Sequence, residues 1–208
     1  MRGALVHFLD RPLDRVSGLG PEAVVPLLRG RFGTPYRYLE SCASTQRLLG
    51  DDDPEGAAVV TDHQLEGRGR LGRTWEDTPG RSILMSVLLL PPAPMPLWPE
   101  LSLVAGEAVA AALRAETGVA ASLRHPNDVV IAGRKLVGVL PEATPGRVVL
   151  GIGVNVNQTE DELPVDTAKP PTSLRVELGR EVESAPLLAA ILAQLERDYD
   201  AWAAPYRR

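Results

Sequence analysis

The stretch EGRGRLGRTW (66–75) constrains this chain more than any other: glycines 67, 69 and 72 stand in the spacing G-x-G-x-x-G, interleaved with arginines 68, 70 and 73. In a doubly wound dinucleotide-binding fold the third glycine of that pattern sits in a helix packed on the preceding strand. An acid follows about 20 residues later to hold a ribose hydroxyl. Here Gly72 leads into RTWEDTPGRS, with a turn signal at Thr78-Pro79-Gly80 and no helical stripe, and the position for the acid falls in PPAP. A phosphate loop is excluded as well, since no Gly-Lys-Ser or Gly-Lys-Thr follows. What is left is a glycine loop between two strands presenting Arg68, Arg70 and Arg73. Glycine lets a backbone approach a ligand closely, and guanidinium groups pair bidentately with carboxylate or phosphate. Three arginines this close repel one another, so the loop is expected to order around a bound anion. A solvated basic loop is the plainer alternative.

The rest of the chain reads as irregular alternation. PEAVVPLLRG (21–30) is a short helix ended by Gly30, and Ser44 or Thr45 caps another that holds Leu48 and Leu49. AAVVTD (57–62) and RSILMSVLLLP (81–91) are strands, and SLVAGEAVAAALRAETG (102–118) is a helix closed by Gly118. Strands follow near 121–124, 128–132, 134–140 and 147–157, then a polar, proline-rich loop over 158–173. Apolar residues at 187, 188, 191, 192, 195, 199 and 202 form the stripe of a closing helix. The expected class is α/β (or α+β), a mixed sheet backed by helices, with a lead-in over 1–35 and one domain over 36–208.

Charge and cysteine narrow the setting. With 22 Lys+Arg against 27 Asp+Glu the net charge is −5, which argues against a general binder of nucleic acid or membrane surfaces. The single cysteine, Cys42, allows no intrachain disulfide and fits a reducing compartment; it reads as structural. The opening MRGALVHFLDRPLDR lacks the apolar run of a secretory signal, and ILMSVLLLPPAP is too short to span a bilayer, so a cytoplasmic protein is expected. His7, His63 and His125 have no metal-ligand spacing.

Two further segments carry polar residues in a telling order. In RHPNDVVIAGRKLVGVLPE (124–142), a two-residue turn at Ala132-Gly133 pairs Ile131 with Arg134, Val130 with Lys135 and Asp128 with Val137. Asp128 and Lys135 then share a face as diagonal neighbours, roughly 7–8 Å apart at Cβ. They form either a site pair, with the lysine aimed at an anion, or a surface ion pair worth less than about 1 kcal/mol. In GIGVNVN (151–157), strand glycines mark the approach of a ligand or another backbone. Asn155 and Asn157 share a face and could read an adenine edge, or simply end a glycine-softened strand.

Taken together and in order, these segments resemble the catalytic domain of biotin protein ligases. The matching residues are Ser44-Thr45-Gln46; Gln64 with Gly67, Arg68, Gly69, Arg70, Gly72, Arg73 and Trp75; Pro126-Asn127-Asp128; Arg134-Lys135-Leu136 with Gly138, Leu140 and Glu142; Gly151 to Asn157; and Pro171 to Leu174. They cover the chain from about Tyr38 to Tyr206. The resemblance implies a fold similar to class II tRNA synthetases. It also implies a two-step ligase that joins biotin to the α-phosphate of Mg-ATP and passes the biotinyl group to a lysine of a biotin carboxyl carrier protein.

The same resemblance assigns roles. Arg70, Lys135 and Asp128 are catalytic, with Lys135 bridging the biotin carboxyl and the α-phosphate, and Asp128 orienting Lys135 and helping deprotonate the incoming lysine. Ser44, Thr45 and Gln64 hydrogen-bond the ureido group, with Gly67 and Arg68 nearby and Gly138 lining the pocket. Arg68, Arg70, Arg73, Trp75, Asn127 and Asn155 hold the adenylate, Asn155 reading adenine. Metal enters only as Mg2+ with ATP.

Departures are the Arg124-His125 pair where the family usually has Lys-Trp, which keeps the charge and drops an aromatic wall, and Pro141 ahead of Glu142. The resemblance covers neither a helix-turn-helix nor the small β-barrel usual after the terminal helix, so no DNA binding is expected, and turnover is expected to be weaker. A non-catalytic binder of biotin or biotinyl-AMP and a lipoate-type ligase are the competing functions, and the residues leave a homodimer open.

Overall fold

The computed structural model describes residues 18–165, 167 and 169–207. Seven strands form one mixed sheet: β1 (Tyr36–Leu39), β2 (Ala58–Thr61), β3 (Ser82–Leu89), β4 (Ser122–Arg124), β5 (Asp128–Ile131), β6 (Arg134–Thr144) and β7 (Arg147–Asn155). Their order is β1-β2-β3-β7-β6-β5-β4. Only the β1–β2 pair is parallel. The architecture is the expected mixed sheet backed by helices. The part of the lead-in before residue 18 lies outside the described residues, and β1 was not among the strands the sequence pattern predicts.

Two long helices, α2 (Leu101–Thr117) and α4 (Ser184–Ala203), cover one face of the sheet. Alternate strand residues supply the other side of this core: Ile83, Met85 and Val87 from β3, Leu150, Ile152 and Val154 from β7, Val137 and Val139 from β6. The stripe read for the last helix holds. Leu187, Leu188, Ile191, Leu192, Leu195 and Tyr199 are buried, with Trp202 partly so. Gly118 ends α2 in the left-handed conformation that glycine takes without a Cβ penalty, its N–H donating to Arg114 O at 3.0 Å.

Two local readings need correction. The helix at 21–30 does not run to Gly30. It is one α-turn, α1 (Pro21–Val24), then a 3-10 turn over Val25–Leu27, after which Leu28 is extended. Pro26 lies in that second segment and has no N–H to continue a helical ladder. The Thr45–Leu48 element is 3-10, with Ser44 extended before it and making no side-chain cap. The sequence pattern also missed α3 (Leu174–Leu178), which Ser173 caps by accepting from Val176 N at 3.1 Å.

Candidate active site

The site lies on the sheet face opposite the helices, and strand register builds it. Cross-strand pairs Asp128↔Gly138, Gly138↔Gly153 and Gly153↔Leu84 run in one row, with Leu140↔Gly151 and Gly151↔Ser86 in the row beside it. Three of the seven positions carry no side chain, so the middle of this face is bare backbone.

Lys135 and Gly138 are three residues apart, which in a regular strand puts them on opposite faces. Both nevertheless line the same cleft. The reason is a bulge: Val130 pairs with Lys135 but Val129 pairs with Val137, so Leu136 is the extra residue. Leu136 and Val137 consequently both enter the core, and Lys135 is re-aimed to the open face. The same bulge corrects the predicted register. The turn at Ala132-Gly133 and the pairs Ile131–Arg134 and Val130–Lys135 are as expected, but Asp128 pairs with Gly138, not Val137. Its contact with Lys135 is direct, at 3.0 Å.

Asp128 is 3% exposed, and a second lysine, Lys169, donates to its other oxygen. Burial alone would push this carboxyl up, but the bonds and charge of Lys169 and Lys135 outweigh it and hold the group below its ordinary value. The position of Lys169 was missed because it stands in the proline-rich stretch read as a loop. Its anchor is backbone pairing: Lys135 N–H donates to Pro170 O at 2.7 Å and Thr172 N–H to Lys135 O at 2.8 Å.

The arginine loop closes the cleft from above. Gly69 N–H donates to Arg73 O (2.7 Å) and Trp75 N–H to Gly67 O (2.9 Å), so the loop folds back on itself around a turn whose Leu71 has φ 60. A Cβ on Gly67 would stand 2.3 Å from Trp75 O, which fixes that position as glycine. Two of the three arginines have partners: Arg68 meets Glu142 at 2.5 Å and Arg70 donates to Asn127 Oδ1 at 3.1 Å. Asn127 in turn donates to Val139 O at 2.8 Å. Arg73 is exposed and does not line the cleft.

Trp75 takes the bare patch. A Cβ on Gly138 or on Gly153 would come within 2.7 Å of its indole, so the ring lies flat over both glycines, with Lys135 Nζ 5.4 Å from a ring centroid. Its Nε1 is buried without a hydrogen-bond partner. Such a donor costs about 1–3 kcal/mol, so the ring fits this place by shape while leaving its polar edge unanswered. The expectation had Gly138 lining the biotin pocket and Trp75 packing near the adenylate; here the two touch.

Facing them, Gln46 lies over Gly151 (a Cβ there would be 2.9 Å from its Cδ) and donates to Leu140 O at 3.1 Å. Gln64 Oε1 accepts from Thr45 N–H at 2.9 Å, and Thr45 Oγ1 lies 2.7 Å from Ser86 Oγ. With its oxygen committed, Gln64 has its NH2 group left for the cleft. Gly151 and Gly153, which the sequence marks as close-approach positions, are both met by side chains, Gln46 over the first and Trp75 over the second. Asp77 was not picked out at all. Its side chain is buried, its Oδ1 lies 2.9 Å from His63 Nδ1, and Gln64 N–H donates to its Oδ2 at 3.3 Å, so it fixes the turn that carries Gln64.

Of the residues singled out from the sequence, Thr45, Gln64, Arg68, Arg70, Trp75, Asn127, Lys135 and Gly138 line one cleft, narrowed to about 50 Å3 with Trp75 in place. Gly67 abuts the lining residue Trp75 and Asp128 bonds the lining residue Lys135, whereas Ser44 is buried and does not line the cleft. Asn155 does not line the cleft: its Nδ2 donates to Thr172 O (3.0 Å) and its Oδ1 accepts from Gln158 (3.2 Å), so the amide expected to read adenine is bonded inside the protein. Asn157 likewise exchanges two bonds with Val182. Cys42 is half-buried and burial pushes its thiol up, which suits an inert residue.

A bulged hairpin that turns a buried aspartate and a lysine onto a glycine floor under an arginine-glycine loop defines a class. The chain matches the Biotin/lipoate A/B protein ligase family over residues 38–158, more than half its length, and it belongs to that family. It is 37% identical over 177 residues to the bifunctional ligase/repressor BirA of Bacillus spizizenii, covering 81% of this chain and 54% of that protein. To the biotin–[acetyl-CoA-carboxylase] ligase of Mycobacterium tuberculosis it is 36% identical, covering 81% of this chain and 65% of the other. The biotin protein ligase of Aquifex aeolicus, solved with biotin and ATP, superposes with a TM-score of 0.74 at 33% identity over 80% of this chain and 71% of that one. The chain thus spans between about half and two thirds of the length of these curated relatives.

Proposed function

We propose that this chain joins biotin to ATP as biotinyl-5′-AMP, releasing pyrophosphate, and then delivers the biotinyl group to a lysine of a biotin carboxyl carrier protein. One observation carries the reading: a nearly inaccessible carboxylate holds Lys135 at the rim of a glycine-floored cleft closed by arginines. Both substrates are anions, and a fixed ammonium between them offsets the charge that builds as carboxylate oxygen meets phosphorus. In this reading Asp128 orients Lys135. Arg70, braced by Asn127, and Arg68, released from Glu142, take the phosphates. Gln64, Thr45 and Ser44 meet the ureido group, and the indole of Trp75 yields the glycine patch to the vitamin and turns to the nucleotide.

In this reading Mg2+ arrives on the ATP phosphates. No described helix is long and apolar enough to cross a membrane. In this reading the reaction takes place in the cytoplasm, on a carrier such as a subunit of acetyl-CoA carboxylase.

Co-expression with a carrier domain, followed by mass spectrometry of that domain, tests the function. A biotinyl group on its acceptor lysine is expected. A carrier left unmodified while the protein binds biotin would favour a non-catalytic binder instead.

A further inference from the structure

The composition of the cations is lopsided. Of 22 basic residues only two are lysine, Lys135 and Lys169; all others are arginine. Both amines are bound to one carboxylate, that of Asp128, on its two different oxygens. For pairing with a carboxylate, arginine serves at least as well, since its fork can bind both oxygens. What arginine cannot do is lose a proton near neutral pH and act as a nucleophile; a lysine can.

Lys169 is also held on its carboxylate by structure. The backbone of 170–172 pairs with Lys135, and Thr167 Oγ1 donates to Lys169 O at 2.7 Å. Its side chain is 28% accessible, whereas that of its partner is 4%. Lys135 Nζ lines the cleft, and one carboxylate group separates it from Lys169 Nζ.

Resting on the ligase reading above, we infer that Lys169 fills the place of the acceptor lysine: it occupies Asp128 until a carrier's lysine displaces it, and without a carrier it takes the biotinyl group itself. In that step the Lys169 ammonium loses a proton to water by way of Asp128. The freed lone pair forms the C–N bond to the acyl carbon of biotinyl-5′-AMP. The C–O bond to phosphate breaks, AMP leaves with its electron pair, and the second proton of the attacking nitrogen passes to water, again by way of Asp128. The product is a neutral amide, and Asp128 keeps only Lys135.

The test incubates the full chain with biotin and Mg-ATP and no carrier, and in a second arm with biotinyl-5′-AMP supplied directly. The amines are then mapped by mass spectrometry, and pyrophosphate exchange is followed in the first arm. Expected are one biotinyl group on Lys169, its suppression by excess carrier domain, and its loss in Lys169→Arg, which keeps a cation on Asp128. Exchange without label on Lys169, label shared equally with Lys135 or the N-terminal amine, or label undiminished by Lys169→Arg would overturn the inference alone. Absence of exchange would overturn the ligase reading and this inference with it.

Discussion

The two faces of the sheet are made by the same three strands and could hardly differ more. On the helix side, β3, β6 and β7 present Ile83, Met85, Val139, Leu150, Ile152 and Val154, all within the core. On the other side the same strands present Leu84, Ser86, Gly138, Gly151 and Gly153. One face is filled with side chain, and the other is emptied of it where Trp75 and Gln46 now lie. Because a strand alternates its residues between faces, stability and chemistry can be written into alternate letters of one segment. The bulge at Leu136 is the one place where that alternation is broken, and it is broken to bring Lys135 onto the chemical face.

If the faces divide the work, substitutions on each should move different measurements. On the open face Lys135→Ala is expected to have the largest effect: adenylate formation, measured by single-turnover kinetics, should fall by about 10²–10³, as for other donors aimed at developing charge. Biotin affinity should fall far less, and equal losses would break the assignment. On the helix face Leu188→Ala empties a fully buried site and should cost about 2–5 kcal/mol in denaturant unfolding while biotin affinity in the folded protein is unchanged.

Gly153→Ala tests the boundary. Its Cβ would strike the indole of Trp75, so overpacking of about 1–3 kcal/mol is expected. Adding Trp75→Ala should recover most of that loss in unfolding, and additive losses would show that the ring is not what the glycine accommodates. The smallest effect lies at the far end of α4. The bond from Arg31, together with Arg207, lowers the Asp200 carboxyl from 3.8 to about 2. A group with a depressed folded value stabilises above its ordinary value and loses that contribution as pH falls through the depressed one. Acid titrations of the protein and of Asp200→Asn should therefore converge between about pH 4 and pH 2, with the site's affinity untouched above that window.

Much of this was legible in the residues, and the limits are physical. The arginine-glycine loop was recognisable because no helix follows Gly72, and the α4 stripe because its period is unbroken over about four turns. The hairpin turn could be read from Ala132-Gly133, yet the bulge could not. Nothing in RKLVG marks Leu136 as the extra residue until both Leu136 and Val137 are seen to need burial. The asparagines were read as free amides because a sequence does not show that Thr172 and Val182 come back to meet them. Lys169 was passed over because its setting, AKPPTS, carries every sign of a loop. Its partner strand is found only in three dimensions.

The most direct measurement is the exchange of labelled pyrophosphate into ATP with and without biotin. If the open face holds a carboxylate against Lys135 for attack on the nucleotide, label should enter ATP only when biotin is present. Biotin bound with no label entering, or label entering equally without it, would contradict the account.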